Sequence, residues 1–563
     1  MASVFQRQFA GIRPAIDDIN LDPRYAVTAH NARLRDSTLK AWKAPARVST
    51  DDAATIYRLA DNQTCCGPLQ TWSTCVFPLS GMPSPNTCHE FDQLVLFHPN
   101  CTIEPQRYIY CTGEVAPLVV PGPTRALVAY PITVGTLKDH PYAGPDARAY
   151  TYTWVDKFGI ESRPAFPSAT LKSYDDETWR LTGFDAPPPN AVAVRIYRAS
   201  SYFETGETIA ITNNTSFQLV SEVALPLAGN VYDDDKKLNE LAYGTLLTDE
   251  NCDPPCMEQV SATQAGYAVG FSGNDVYFSE RYEPHNWPTK YRTTLPHKIV
   301  ALVVTGDIVF VGTTGQPFRI NTAPAVPANG SAQVDLTIDP LPYDENYPCI
   351  SRYAMVSTSF GAMYTTHKGL VALQPRGPAA LVSRSRVDED DWLRMAPNLA
   401  EWYNGKYYAT RAPAGRGFIF DMREGAEGEL DIGDLVTVDL PAKALHAGRD
   451  GHLYFSHVDG SGVYRWNAGP ARTEYVYTSK QFRLPGVVGM SAFKVVADYG
   501  APVKFELFAD RRLVYTTLVS SAVPHRLPRF GTALLYQVRL TGTTRVREWH
   551  VGAAVADLTE EPR

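Results

Sequence analysis

The sequence predicts an all-β protein, and three observations carry that prediction. Tyrosine (31 residues) exceeds phenylalanine (23), and 43 prolines and 39 glycines punctuate the 563 residues. Tyrosine, valine and threonine suit half-buried pleated surfaces, whereas proline and glycine mark turns. Short runs of alternating apolar and polar residues recur along most of the chain. Beyond about residue 260, a strand, a tight glycine turn and a second strand repeat in loose register. Together these features give a β-propeller-like core, an inserted fibronectin/Ig-like β-sandwich and a C-terminal β-sandwich.

Residues 1–50 read as an N-terminal arm. Within it HNARLRDSTLKAWKAP, His30 to Pro45, alternates weakly and is rich in cations, which suits an extended arm or an edge strand. Residues 51–130 hold short runs such as TIYRL, DQLVLFH, RYIYCTG and APLVVPG between turn clusters. This first β segment would supply a further blade and close the ring. Residues 131–245 change style. Tyr150, Tyr152 and Trp154 alternate on one run, and Val192, Val194 and Ile196 on another. Close strand spacing there predicts the sandwich insert, with prolines 187 to 189 in a connection. Residues 246–470 carry the repeat, with central glycines at Gly273, Gly306, Gly361, Gly405 and Gly451, 33 to 55 residues apart. That period is the one expected of propeller blades, and the NG and DG turns are strong hairpin signals. Residues 471–563 return to long alternating strands, the second sandwich.

Bulk properties narrow the function. The composition is 44% hydrophobic and 20% charged, enough apolar material for a packed core. A net charge of −8 argues against coating nucleic acid, which requires a basic excess. No apolar run reaches the roughly 18 residues of a membrane span. The N-terminal MASVFQRQFAGIRPAIDD lacks the apolar core of a signal peptide, so synthesis in the cytoplasm is expected.

Nine cysteines are present. Cys65, Cys66, Cys75, Cys88, Cys101 and Cys111 cluster, Cys252 and Cys256 form CDPPC, and Cys349 stands apart. His89 and His98 interleave with the cluster, yet the spacings match no zinc-ribbon pair. Disulfides formed late, structural thiols and a metal site all remain open readings. No cofactor or metal motif is expected. GxSxG, HExxH and P-loop patterns are absent, so no catalytic residue is assigned. VDEDDW, Val387 to Trp392, reads as a solvated acidic loop, and YDDDKK, Tyr232 to Lys237, as a charged exit from the sandwich. Histidines such as His285, His297, His367 and His446 share no spacing. In YEPHNWP, Pro284 and Pro288 stiffen the backbone, while Tyr282 and Trp287 suit an interface anchor. The competing reading packs Trp287 beneath its own blade.

Several stretches resemble a known family. SERYEPHNWP followed by LPHKIVALVVTGDIVFVGTTGQPFRI looks like the propeller segment of bacteriophage tail proteins. TYTWVDKFGIESRPAFPS with VRIYRAS resembles their fibronectin-like insert, and YTSKQFRLPG through VREWHVG their closing β domain. The nearest type is the tail nozzle, or tail tubular protein B, of short-tailed phages. The resemblance implies a non-enzymatic virion protein that assembles with itself into a homohexameric ring at the distal tail. Adaptor and fibre proteins would be its neighbours, and DNA would pass through the channel without specific binding. An acidic wall suits that passage, because repulsion prevents sticking. Two other readings compete. One is a fibre hub or receptor-binding propeller for glycans, with Trp287, Trp392 and Trp402 as candidate surface tryptophans. The other is a propeller glycosidase, which needs two converging carboxylates.

Overall fold

The computed structural model describes residues 3–50, 56–58, 76–78, 88–90, 93–96, 108–111, 114–117, 122–133, 135, 146–156, 159, 161–189, 191–202, 217–241, 247, 257–281, 287–325, 335–411, 415–424, 430–448 and 450–558. Strands dominate it, with only short helical segments between them. The chain divides into two compact units. One comprises Met1–Cys65, Leu69–Asn86 and Leu295–Arg563, the other Cys66–Pro68 and Thr87–Thr294.

The first unit contains the propeller-like core. Blade one is Ile299–Thr305, Ile308–Thr313, Phe318–Ala325 and Asp335–Pro342, an antiparallel meander. Blade two is Val356–Thr358, Gly361–Thr365, Leu370–Leu373 and Ala380–Leu381, and blade three is Leu399–Tyr403, Lys406–Thr410, Arg416–Glu424 and Leu430–Asp439. Blade four takes three strands, Ala442–Ala447, Leu453–His457 and Val463–Arg465, and borrows its outer strand, Ala46–Ser49, from near the N-terminus. The opening strand of each blade lies against that of the next, and Ile56–Arg58 lies against the opening strand of blade four. These contacts make a radial arc. Its cohesion is hydrophobic. One cluster joins Ala301 and Phe310 of blade one to Tyr364 and Val371 of blade two. A second joins Met363 and Ala372 to Tyr407 and Phe420 of blade three. A single blade could not bury both faces, so each supplies half of its neighbour's core.

The predicted turn glycines sit in hairpins. Asn404 (φ 51°) and Gly405 (φ 73°) both adopt the left-handed region, as a two-residue primed turn requires. At Gly361 (φ 135°) a β-carbon would fall 2.1 Å from the Leu373 carbonyl oxygen, so only glycine fits. Gly273 differs in phase. It joins the second and third strands of its sheet, Ala268–Ser272 and Asp275–Phe278, rather than the first and second.

The N-terminal arm expected over 1–50 is instead woven into the C-terminal domain. Ala26–His30 fills a gap between Leu430–Asp439 of blade three and Tyr475–Ser479, joining blade and sandwich into one ten-stranded sheet. Ser3–Gln6 pairs with Val546–Gly552 in the opposing sheet, which also takes the hairpin Ala32–Arg35/Thr38–Ala41. The physical reason is edge satisfaction. The strands of 471–563 leave unpaired backbone groups, and these N-terminal strands cap them. Polar contacts fix the fit. Buried Gln6 donates to the Tyr477 hydroxyl at 2.7 Å and accepts from the Trp549 indole at 3.2 Å. Asn31 Nδ2 donates to Asp439 at 2.7 Å, while its Oδ1 accepts from the Asp439 N–H at 2.9 Å.

In the second unit, seven strands form a sandwich. Val128–Pro131, Trp179–Thr182 and Val231–Asp234 make one sheet. Leu171–Ser173, Asp146–Asp156, Ala191–Tyr202 and Gln218–Ala224 make the other. The fibronectin/Ig-like insert therefore begins slightly earlier than residue 131. Tyr150, Tyr152, Trp154, Val194 and Ile196 fill its core as predicted, joined by Trp179. Val192 does not, being 45% exposed. Thr151 and Thr153 are also buried because residues 161–168 run along the strand, with Ala165 and Ser168 N–H groups donating to the Tyr152 and Tyr150 carbonyls. The same unit holds two further sheets. One is Cys88–Glu90, Gln93–Leu96, Tyr108–Cys111 and Glu114–Pro117, and the other is Gln259–Ala262, Ala268–Ser272, Asp275–Phe278 and Arg292–Thr294.

A fragment of residues 471–563 lacks the four N-terminal strands of its two sheets. It is expected to show no cooperative unfolding by near-ultraviolet circular dichroism, and to gain it when residues 3–42 are supplied as a peptide. A sharp transition in the fragment by itself would contradict the woven arrangement.

Candidate functional site

Two of the tryptophan candidates are core residues and the third is half-buried. Trp287 is 3% exposed and Pro288 is buried beside it, so the packing reading fits Trp287 better than the anchor reading. Tyr282 and Pro284 lie outside the described residues. Trp392 is 1% exposed, and its indole N–H donates to the Thr366 carbonyl at 2.8 Å. Trp402 is half-buried, edge-on to Phe360 at 5.9 Å. Trp287 and Trp392 therefore present no open ring face of the kind that stacking on a sugar needs. A tryptophan buries too much area to be left bare when its N–H has a partner inside.

The acidic runs match expectation only in part: Asp388, Glu389 and Asp390 are exposed, as a solvated run should be. VDEDDW is not a loop. Asp388 caps the short helix Glu389–Met395, accepting from the Asp391 N–H at 2.7 Å, and the acids of its first turn oppose the helix dipole favourably. In YDDDKK the exit is only partly solvated. Asp233 faces out and pairs with Arg180 at 2.7 Å, while Asp234 points into the sandwich. There it meets Arg198 at 2.8 Å, both side chains 0% exposed. The Tyr150 hydroxyl donates to Asp234 at 2.8 Å, and burial raises its pKa above the ordinary tyrosine value, so it stays a donor.

Of the eight clustered or paired cysteines, Cys65, Cys66, Cys75, Cys101, Cys252 and Cys256 lie outside the described residues. Cys88 and Cys111 bound strands whose side chains are likewise outside them. Cys349 is buried and free, its thiol pushed up to about 12 by burial. No group of three or more histidine, cysteine or acidic side chains that could hold a metal ion occurs among the described residues. Among the described residues no helix is long and apolar enough to cross a membrane.

The site that sequence reading missed is a cavity of about 600 Å³ in the first unit. Its walls come from three places: the hairpin around Arg33 and Asp36, blade three, and Trp466–Asn467 after blade four. Trp42 and Trp466 approach at 5.9 Å between ring centroids, and Tyr408 meets Trp466 at 6.3 Å. Charges on the blade wall are matched. Lys406 pairs with Asp421 at 2.5 Å, and Arg423 reaches Asp434 at 2.9 Å and Asp421 at 3.7 Å. Both carboxylates are thus clamped to cations, an arrangement that suits binding better than proton transfer. Nothing in local spacing announces this cavity, because Lys43 and its capping partner Asn467 stand 424 positions apart.

Glu401, in the opening strand of blade three, is a titratable feature of the blade interface. Burial pushes its carboxyl up to about 7, against hydrogen bonds from the Trp402 and Ala447 N–H groups.

No protein-family model matches the sequence, and no curated protein matches it either. Solved structures with some likeness include a streptogramin B lyase, 11% identical over 60% of this chain and 97% of that one, at a TM-score of 0.23. Apo AztD from Citrobacter koseri is 9% identical over 69% and 99% of the two chains, also at 0.23. An exo-β-1,3-galactanase from Phanerochaete chrysosporium is 10% identical over 73% and 99%, at 0.16. At these scores the likeness carries no argument about this chain. The propeller-like description rests on its own sheet topology.

Three variants probe these polar features. Asp234→Ala should lower the first calorimetric transition of the full chain, costing about 3–5 kcal/mol by stranding a buried guanidinium. Replacing both partners, Arg198→Met with Asp234→Leu, should recover much of that loss. An unshifted transition in Asp234→Ala would contradict the pairing. For Glu401 the folded carboxyl titrates near 7 and the unfolded one near 4.5. Stability present below pH 4.5 is therefore lost as pH rises through about 7. Urea midpoints should fall across that window in the native protein and flatten in Glu401→Gln.

Proposed function

We propose that the protein is a structural component of a bacteriophage virion tail, nozzle-like, assembling with its own copies into a ring at the distal end of a short tail. The observation that carries this reading is the order of parts along the chain. Resemblance to tail nozzle proteins implies propeller blades, a fibronectin-like insert ahead of most of them and a closing β domain. The chain holds a sandwich over 128–234, blades beyond it and a two-sheet domain at the end.

Two physical features support a building-block role. Shared cores between blades and the woven N-terminus make the first unit stiff, which suits a part that transmits force rather than one that changes shape. On the sandwich, Val128, Tyr130 and Ile132 are 60%, 43% and 40% exposed along one face of an edge strand. A run of that kind is the apolar surface that subunit association covers. The copy number of six, the neighbouring adaptor and fibre proteins, and unbound passage of DNA follow from the resemblance and share its standing.

Negative-stain imaging and light scattering of the purified chain test the reading. Rings of several copies are expected, and Tyr130→Ser/Ile132→Ser should lower the ring population without lowering the melting temperature. A strictly monomeric particle at every concentration would overturn it.

A further inference from the structure

We propose that the cavity between blade three and the N-terminal hairpin is a binding site for a neutral oligosaccharide. The inference stands apart from the ring reading, because it uses only residues of one chain and one unit.

Size and lining set the ligand class. About 600 Å³ lies inside the range of roughly 300–1,000 Å³ that small-molecule sites occupy. The blade wall neutralises its own charge through the Lys406–Asp421 and Arg423–Asp434 pairs, so an ionised ligand gains no counter-charge there. Those carboxylates keep free acceptor lone pairs for hydroxyl donors, since an ionised carboxylate offers about four acceptor sites. Donors are also at hand. Asn467 accepts from the Lys43 N–H through Oδ1, which leaves its Nδ2 for a ligand. Arg33 lies over the Trp42 ring at 5.2 Å and forms no ion pair among the described residues. Mixed hydrogen-bond donors and acceptors beside the edges of the buried Trp42 and Trp466 rings match the polar rim of a sugar rather than its stacking face.

A second observation points the same way. The indole N–H groups of Trp42 and Trp466 are buried with no acceptor among the described residues. Both rings line the cavity and are 8% and 6% exposed. A buried donor without an acceptor keeps an uncompensated desolvation cost. Two of them on one cavity wall are a cost that a ligand hydroxyl oxygen could relieve after a small rotation of the rings.

The test is an array of neutral hexose and N-acetylhexosamine di- to tetrasaccharides beside sialylated and sulfated counterparts, followed by calorimetric titration of any hit with the full chain. Binding to neutral members is expected. It should weaken at least tenfold in Arg33→Ala and in Asp421→Asn, with the melting temperature of at least one variant unchanged. Binding confined to acidic members would overturn the assignment, as would no binding on the array or affinities that neither variant alters. Ring imaging of the same variants separates the two proposals, since assembly should survive both substitutions.

Discussion

Backbone hydrogen bonding across the whole length of the chain is the constraint on which the first unit depends. Blade four is completed by Ala46–Ser49, and both sheets of the C-terminal sandwich are completed by strands that precede residue 42. Each of these strands is only four or five residues long. In isolation none would hold its shape, because short strands gain little without neighbours. Paired, they remove the open edges of three sheets at once. The same strands carry Gln6 and Asn31, whose amides are spent on specific partners, so register is fixed by polar fit as well as by the pleat.

That arrangement explains where the cavity lies. Blades pack face to face wherever consecutive sheets share apolar clusters. The cavity opens where three pieces meet: the hairpin of the sandwich, all four strands of blade three and the turn after blade four. Trp42 and Trp466 fill part of the gap, and matched charges line the rest. Closing long loops carries an entropic cost that grows slowly with length, so joining residues more than 400 positions apart is tolerable once the strands pair. A binding site at such a junction inherits the stiffness of all three walls.

Much of the fold was legible because its signals are local. NG and DG turns marked hairpins, and alternating Tyr150, Tyr152 and Trp154 marked a sandwich strand. The N-terminal strands carried no comparable signal. Cations such as Arg33, Arg35 and Lys40 interrupt the hairpin strands, and the pairing partners of all of them but the hairpin itself lie far along the chain. The acidic runs misled for another reason. Asp388 is a helix cap, and Asp234 points inward by strand alternation while Asp233 points out. Composition marks both runs as solvated, which holds for Asp388, Glu389, Asp390 and Asp233, but it shows neither the cap nor the inward turn of Asp234. Of the candidate interface stretch, Trp287 is buried, which aromatic composition by itself does not reveal. The cavity was not legible at all, since its walls share no spacing.

The central claim is that the N-terminal strands and the closing sandwich are one cooperative body. Native-state hydrogen exchange followed by mass spectrometry measures this directly. Amides of Ala26–His30 and Ser3–Gln6 should be protected to the same degree as those of Ala533–Gly542 and Val546–Gly552, and should open with them in denaturant. Fast exchange of the N-terminal strands while the sandwich strands stay protected would contradict the account.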